Sequence, residues 1–161
     1  MAKVIMIRNT FGGCKYLQKA LKYIRDERAI AGGAFGVDTY DPEEAFYQMM
    51  CTKRFFNKTG GNPLIHIIVS YSKEVQSYET ATRYGWFIAN YYADRFQSVF
   101  CTHGFDNENW YHSHIIINSV SCINGAMFDS SFKEMKKLRD YVAKITGEKC
   151  QFFFDNKNKA Q

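Results

Sequence analysis

Three histidines stand close together in the second half of the sequence, in a pattern that suits metal binding. His103 precedes His112 and His114, so three of the four histidines in the chain fall within twelve positions. A lone histidine is more often a packed or surface residue, whereas a trio this dense is hard to attribute to packing. Three protein ligands leave coordination positions open for water or substrate, which is typical of a catalytic metal site. Imidazole nitrogen does not by itself choose among zinc, manganese, iron and nickel.

Two predicted strands can bring these histidines together. Segments 98–103 and 112–121 are rich in strand-forming residues and are separated by the polar segment 104–111, which favours an antiparallel hairpin. Side chains two residues apart on a strand share a face, about 7 Å apart along it, so His112 and His114 project together and His103 can join them when the hairpin closes. Asn118 has the same parity, and we expect a supporting role for it at this site.

The remaining elements predict an α+β domain with a mainly antiparallel central sheet covered by helices. Apolar periodicity, turn signals and helix-capping residues support this order of elements. The sequence predicts strands over 3–7 and 64–71, and helices over 15–28, from Asp41 to about Arg54, over 77–96, and from Phe132 to Gly147.

Composition bounds the class of protein. The 161 residues suit one domain, and 17% aromatic with 23% charged residues exclude a disordered tail and a simple coiled coil. No apolar run approaches the roughly 20 residues that span a bilayer, and the first residues lack a signal-peptide pattern, so we expect a cytoplasmic protein without membrane insertion. Five scattered cysteines favour reduced thiols, and a net charge of +5 is compatible with a phosphate-bearing partner.

The segment His112-Ser113-His114 resembles the histidine–hydrophobic–histidine strand of HUH endonucleases, with Ser as its middle residue. Together with Thr102-His103 and the following Ile115-Ile116-Ile117-Asn118, it is similar to the third motif of relaxases, the mobilisation nucleases that nick plasmid or conjugative-transposon DNA. The stretch Ala20-Leu21-Lys22-Tyr23-Ile24 resembles the first relaxase motif, and the stretch from His66 to Tyr71 resembles the second. The three motifs occur in the family's order over nearly the whole chain.

This resemblance implies a mechanism. It makes Tyr23 the nucleophile that attacks a DNA phosphate, giving a 5′-phosphotyrosyl intermediate and a free 3′-hydroxyl. A tyrosine hydroxyl is almost fully protonated at neutral pH, so its attack needs help from a metal or a base. A divalent ion held by His103, His112 and His114, Mg²⁺ or Mn²⁺ with Zn²⁺ as the alternative, would neutralise developing charge on phosphate oxygens. The implied partners are single-stranded origin-of-transfer DNA and accessory relaxosome proteins.

Further residues complete the predicted site. Tyr16 lies two helical turns before Tyr23 and is the runner-up nucleophile. Five basic residues on the same predicted helix could follow a DNA strand, although a solvated helix face is the alternative: Lys15, Lys19, Lys22, Arg25 and Arg28. Ser70 resembles the motif serine that lies near DNA, and His66 shares its strand parity but could equally be a packed core residue. The family's acid, a partner for His103, corresponds to Asp106, which comes one residue later than in relatives.

The sequence therefore indicates a single relaxase nicking domain over 1–161, expected to be the N-terminal part of a longer protein. A rolling-circle replication initiator, which shares the histidine pair, is the alternative within the same class. A DNA-binding module without catalysis and a metal-binding protein unrelated to DNA are the alternatives outside it.

Overall fold

The central sheet has six strands, and four helices cover its two faces. A computed structural model describes residues 1–8, 12–38, 41–104 and 110–155. Along the chain the elements are β1 (Ala2–Ile7), α1 (Gly13–Ile24), β2 (Ala29–Phe35), α2 (Pro42–Phe55), β3 (Leu64–Ser70), α3 (Tyr78–Asn90), β4 (Ser98–His103), β5 (His112–Asn118), α4 (Phe132–Thr146) and β6 (Cys150–Asp155). None of the helices in these ranges has the length and apolar character needed to cross a bilayer.

The strand order in the sheet is β2-β4-β5-β3-β1-β6. All neighbouring strands are antiparallel except β1 and β6, which pair in parallel. The α+β prediction with a mainly antiparallel sheet is therefore confirmed. The predicted hairpin is also present, and its two strands lie in the interior of the sheet, flanked by β2 and β3.

Side chains that alternate along the strands build a separate apolar core on each face. One core packs α3 and α4 against the sheet through residues such as Ile88, Leu138 and Ile115. The other packs α1 and α2 through residues such as Leu21, Met49 and Ile116. Because His114 and Ile116 share a face of β5, the histidines lie on the side covered by α1 and α2.

Local signals in the sequence explain where the helices begin. Asp41 accepts hydrogen bonds from the backbone N–H groups of Glu43 and Glu44, and Pro42 occupies the first helical position of α2. Ser77 and Ser131 cap α3 and α4 in the same way. Gly147 ends α4 with a φ of 70°, a left-handed conformation that favours glycine.

Three predicted elements are shorter in the structure. The first helix ends at Ile24 instead of continuing to residue 28, because the chain turns there so that β2 can begin at Ala29. The third helix ends at Asn90, and residues 91–95 follow as turns. Strand β5 ends at Asn118 instead of continuing to residue 121, and an isolated bridge between Val120 and Met127 follows. All five cysteines are free, as expected.

The sequence analysis missed two strands, β2 and β6, and both are edge strands. Strand β2 contains Gly32 and Gly33, which have low strand propensity. The structure explains Gly32: a methyl group added there would lie 2.4 Å from the carbonyl oxygen of Phe100 on β4. Gly32 therefore lowers the strand propensity of this segment, and the same residue allows β2 to lie close to β4.

We expect Gly32→Ala to lower the free energy of unfolding by about 1–3 kcal/mol, because a backbone oxygen cannot move away from the added methyl group without shifting β2. Urea denaturation of the purified chain measures this. Gly60→Ala is the control, since nothing lies within 4 Å of a methyl group at that position. Equal stability of the two variants would contradict the close approach.

Candidate metal centre and active site

The hairpin brings His103, His112 and His114 into one cluster. His103 and His112 are directly opposite each other on β4 and β5, and His114 is opposite Cys101. The ring centroids of His103 and His114 are 4.4 Å apart, and those of His112 and His114 are 5.1 Å apart. One ligand nitrogen from each ring lies within 4.8 Å of the others, so the three imidazoles can hold one metal ion.

Hydrogen bonds orient two of these rings. Nε2 of His103 donates to the carbonyl oxygen of Ile24, the last residue of α1, at 2.8 Å. Nδ1 of His112 donates to the carbonyl oxygen of Trp110 at 2.9 Å. The other nitrogen of His103, Nδ1, is buried and has no hydrogen-bond partner among the described residues. A buried lone pair without a donor is what a ligand atom for a cation requires, so the donor set fits a divalent ion.

Burial favours the neutral form of three histidines, His66, His103 and His114. It lowers the pKa of His103 and lowers that of His114 strongly, with the neighbouring histidines adding to the effect for His114. It also lowers the pKa of His66 to about 4. Because a metal binds the unprotonated imidazole nitrogen, these environments favour the form that binds.

Tyr23 lies at the edge of the histidine cluster. Its ring meets the ring of His114 edge-on, with centroids 5.7 Å apart, and its side chain is 48% exposed. Tyr23 precedes Ile24, whose carbonyl accepts the hydrogen bond from His103, so helix α1 presents the tyrosine next to the cluster. The structure thus places Tyr23 in contact with one predicted ligand, His114, and next to the residue that binds another, His103.

Arg28 adds a positive charge beside Tyr23. Its guanidinium carbon lies 5.3 Å from the centre of the Tyr23 ring, and its Nε donates to Asp26 at 3.0 Å. The Asp26 carboxylate, followed by the Tyr23 hydroxyl, raises the pKa of Arg28. An exposed guanidinium here could contact a phosphate as well as the tyrosine. The sequence analysis counted Arg28 among the basic residues of the first helix but did not predict its position beside Tyr23, because the turn that carries it there follows from the early end of α1.

Tyr16 occupies a different environment. It lies two turns earlier on α1, half-buried, and packs against the apolar core between the sheet and α1 and α2. Its surroundings are those of a packing residue, whereas Tyr23 is exposed at the cluster.

Three of the predicted basic residues lie on α1, and Arg25 and Arg28 come after its last residue. Lys15, Lys19 and Lys22 are exposed and Arg25 is half-buried. Lys22 forms an ion pair with Glu43 of α2, with Nζ and Oε1 2.5 Å apart. Lys15 and Lys19 therefore offer the more accessible charge on this face.

The supporting residues separate into two groups. Ser70 is opposite His112 in the β3–β5 pairing, and Nε2 of His66 lies 2.9 Å from Nδ1 of His114, so both are at the cluster. Asn118 is not: it lies four residues beyond His114 on β5, about 13 Å away at strand spacing. Its side-chain amide donates to the carbonyl of Met49 and to Gln97, and so joins β5 to α2. Asp106 lies outside the described residues.

The opposite face of the histidine strands is polar and closely packed. Ser113, between His112 and His114, lies within hydrogen-bond distance of the Tyr71 hydroxyl at 2.8 Å and of the Thr102 hydroxyl at 3.0 Å. Helix α3 crosses here at Gly85, where a methyl group would lie 2.5 Å from the Ser113 hydroxyl. Buried hydroxyls that hydrogen-bond to one another in this way stabilise β5 on the face opposite the histidines.

The fold and this site define an α+β domain with a three-histidine cluster that can bind a metal ion and an exposed tyrosine at its edge. Comparison with known proteins agrees with this class: the nuclease domain of MobA/VirD2-like relaxases matches residues 16–149. The chain belongs to this family, as the motifs predicted.

Two curated relatives, each called Protein rlx and both from Staphylococcus aureus, are similar to the chain. They are 26% and 27% identical over 146 residues, which is 91% of this chain. The alignments cover 42% and 43% of the relatives, so the chain spans less than half of their length.

We expect single replacements of His103, His112 and His114 by Ala to weaken Mn²⁺ binding more than about tenfold each, because each removes one ligand. Calorimetric titration of Mn²⁺ into each variant measures the affinity, with circular dichroism as the check of folding. Cys51→Ser, an exposed change on α2, is the control. Unchanged affinity in all three variants would exclude the site.

Proposed function

We propose that this domain nicks one strand of DNA at an origin of transfer and initiates mobilisation. The observation that carries the proposal is the contact between Tyr23 and His114, at the edge of a cluster that could hold a divalent ion. Membership of a relaxase nuclease family supports the DNA substrate and the reaction class. The HUH motif, the cytoplasmic location and the accessory proteins inferred from the sequence belong to the same proposal.

The reaction exchanges one phosphoester for another. The Tyr23 oxygen attacks phosphorus and loses its proton, a bond from phosphorus to the tyrosine oxygen forms, and the bond from phosphorus to the 3′ oxygen breaks. The leaving 3′ oxygen takes up a proton to become a hydroxyl. A 5′-phosphotyrosyl bond remains, and because phosphoester bonds are conserved the strand can later be rejoined.

The residues of this chain hold the reactants in place. His103, His112 and His114 would hold a divalent ion, which supplies a Lewis acid for the phosphate oxygens when bound. Arg28 offers a cation next to Tyr23, where negative charge must be accommodated. Helix α1, tied to His103 through the carbonyl of Ile24, keeps the tyrosine at a fixed distance from the cluster.

Single-stranded DNA would reach the site along the exposed face of α1. Lys15 and Lys19 lie one helical turn apart on the helix that carries Tyr23, so a backbone that contacts them leads toward the tyrosine. Ser70 borders the cluster from β3 and could contact the strand near the scissile phosphate. These contacts are to the backbone and so carry no information about the target sequence.

Tyr23→Phe should abolish strand cleavage and the covalent adduct but keep DNA binding, since it removes only the attacking oxygen. Each variant is incubated with Mn²⁺ and an origin-derived single strand, and a protein–DNA band that resists denaturation is scored. Tyr16→Phe is the matched control on the same helix and should behave like the wild type.

The outcomes separate the alternatives. An adduct in Tyr23→Phe but not in Tyr16→Phe would reassign the nucleophile. No adduct with the wild type would favour a non-catalytic DNA-binding module. Adduct formation at a replication origin, and not at an origin of transfer, would favour a rolling-circle initiator.

Replacing Lys15 and Lys19 together with Gln should flatten the dependence of DNA affinity on salt. Each phosphate contact on a single strand contributes about −0.7 to the slope of log affinity against log salt, so the pair should change it by roughly one to one and a half. Fluorescence anisotropy across a salt series measures the slope. The double change of Lys133 and Lys144 to Gln is the control, because these exposed residues lie on α4, across the sheet from α1. An unchanged slope in the Lys15 and Lys19 variant would show that DNA does not contact α1 through these residues.

A further inference from the structure

The hydrogen bonds of the cluster decide which nitrogen of each ring is free. A carbonyl oxygen only accepts, so the nitrogen that faces it must carry the proton. His103 faces the carbonyl of Ile24 with Nε2, and His112 faces that of Trp110 with Nδ1. The lone pairs therefore lie on Nδ1 of His103 and on Nε2 of His112.

His114 differs from these two because its partner is another imidazole. Its Nδ1 lies 2.9 Å from Nε2 of His66, and the ring centroids are 5.2 Å apart. A contact between two neutral imidazoles needs one N–H and one lone pair. Both rings are only 3% exposed and lie at hydrogen-bond distance, so one of the two facing nitrogens donates and the other accepts.

We propose that His66 is a positioning residue for the metal centre: its Nε2 accepts a hydrogen bond from the Nδ1–H of His114, and this aims Nε2 of His114 at the ion. The inference rests on the metal site of the proposed function. It gives the ion a mixed ligand set, with Nδ1 of His103 and Nε2 of both His112 and His114. His66 in turn carries its own proton on Nδ1.

The position of His66 in the sheet explains why it orients His114 and does not itself bind the ion. It lies on β3 opposite Ile116, two pairs along from Ile68, which faces His114, and so on the same face as the cluster. Its Nε2 is engaged by His114, and the set of described residues whose ligand atoms lie close enough to share an ion contains His103, His112 and His114 but not His66. Carboxylates and backbone carbonyls commonly orient metal-bound histidines, and here a neutral imidazole takes that place.

Nitrogen NMR of the metal-free wild-type protein tests the proton positions directly. With ¹⁵N-labelled histidine at slightly alkaline pH, we expect His66, His112 and His114 to be protonated on Nδ1 and His103 on Nε2. Loading with Zn²⁺ should then shift Nδ1 of His103 and Nε2 of His112 and His114. A proton on Nε2 of His114, in the metal-free protein or the Zn²⁺ form, would overturn the proposal.

Two substitutions test the energetic role. His66→Phe removes the acceptor and keeps a ring, so we expect Mn²⁺ affinity to fall about 10- to 100-fold, as is typical when the partner of a metal-bound histidine is lost. His66→Gln offers a side-chain carbonyl as acceptor and should recover most of that loss. The visible absorption spectrum of bound Co²⁺ should keep its shape and intensity in both variants, because the ligands are unchanged.

Several results would overturn the proposal. Wild-type affinity in His66→Phe would remove the positioning role, and a changed Co²⁺ spectrum in that variant would make His66 a fourth ligand. If circular dichroism shows that His66→Phe does not fold, the proton positions measured in the wild-type protein still support or refute the proposal. Failure of the proposed function would give a different result. The wild-type protein would form no DNA adduct but would still show these proton positions and metal affinities. That result would refute nicking and would leave the positioning role of His66 supported.

Discussion

The hydrogen bond from Nε2 of His103 to the carbonyl of Ile24 joins the two halves of the site. The last carbonyls of a helix have no partner within the helix, so α1 must satisfy them elsewhere. Here a histidine from the interior of the sheet satisfies one of them, and the same bond fixes which nitrogen of His103 remains free. Because Tyr23 is the next residue back along α1, the end of the helix sets both the ligand atom and the position of the tyrosine.

The side chains around this hydrogen bond differ in burial, and the difference matches the chemistry that each can perform. His103 and His114 are carried on interior strands and are nearly inaccessible, whereas Tyr23 and Arg28 lie at the surface. Buried imidazoles stay neutral and hold fixed orientations, which suits ligands. Exposed side chains can meet a large polymer such as DNA. On the face of the sheet covered by α1 and α2, the apolar core, the buried histidine cluster and the exposed side chains therefore lie within a few residues of one another.

The sequence predicted the parts of this domain whose signals are local. The hairpin, the cap at Asp41 and the clustering of the histidines all follow from strand parity, turn residues and capping chemistry, and the structure has each of them. Strand β2 could not be recognised, because the need for Gly32 arises from Phe100, far away in the sequence. The environments of Asn118 and His66 were hidden for the same reason: each depends on which strand or helix lies next to it. A buried histidine on β3, with the parity of the cluster face, was the available signal for His66.

The packing on the face of the histidine strands opposite the cluster bears on how the domain would take up an ion. Small metal-binding domains often fold only when metal is present, because the ion replaces a core that they lack. Here Ser113 is held by Tyr71 and Thr102, Gly85 brings α3 close against it, and each face of the sheet has its own apolar core. The strand that carries His112 and His114 is therefore packed through contacts that do not require an ion. Folding and metal loading would then be separate events, and a bound ion could be removed by a chelator and replaced without passage through the unfolded state.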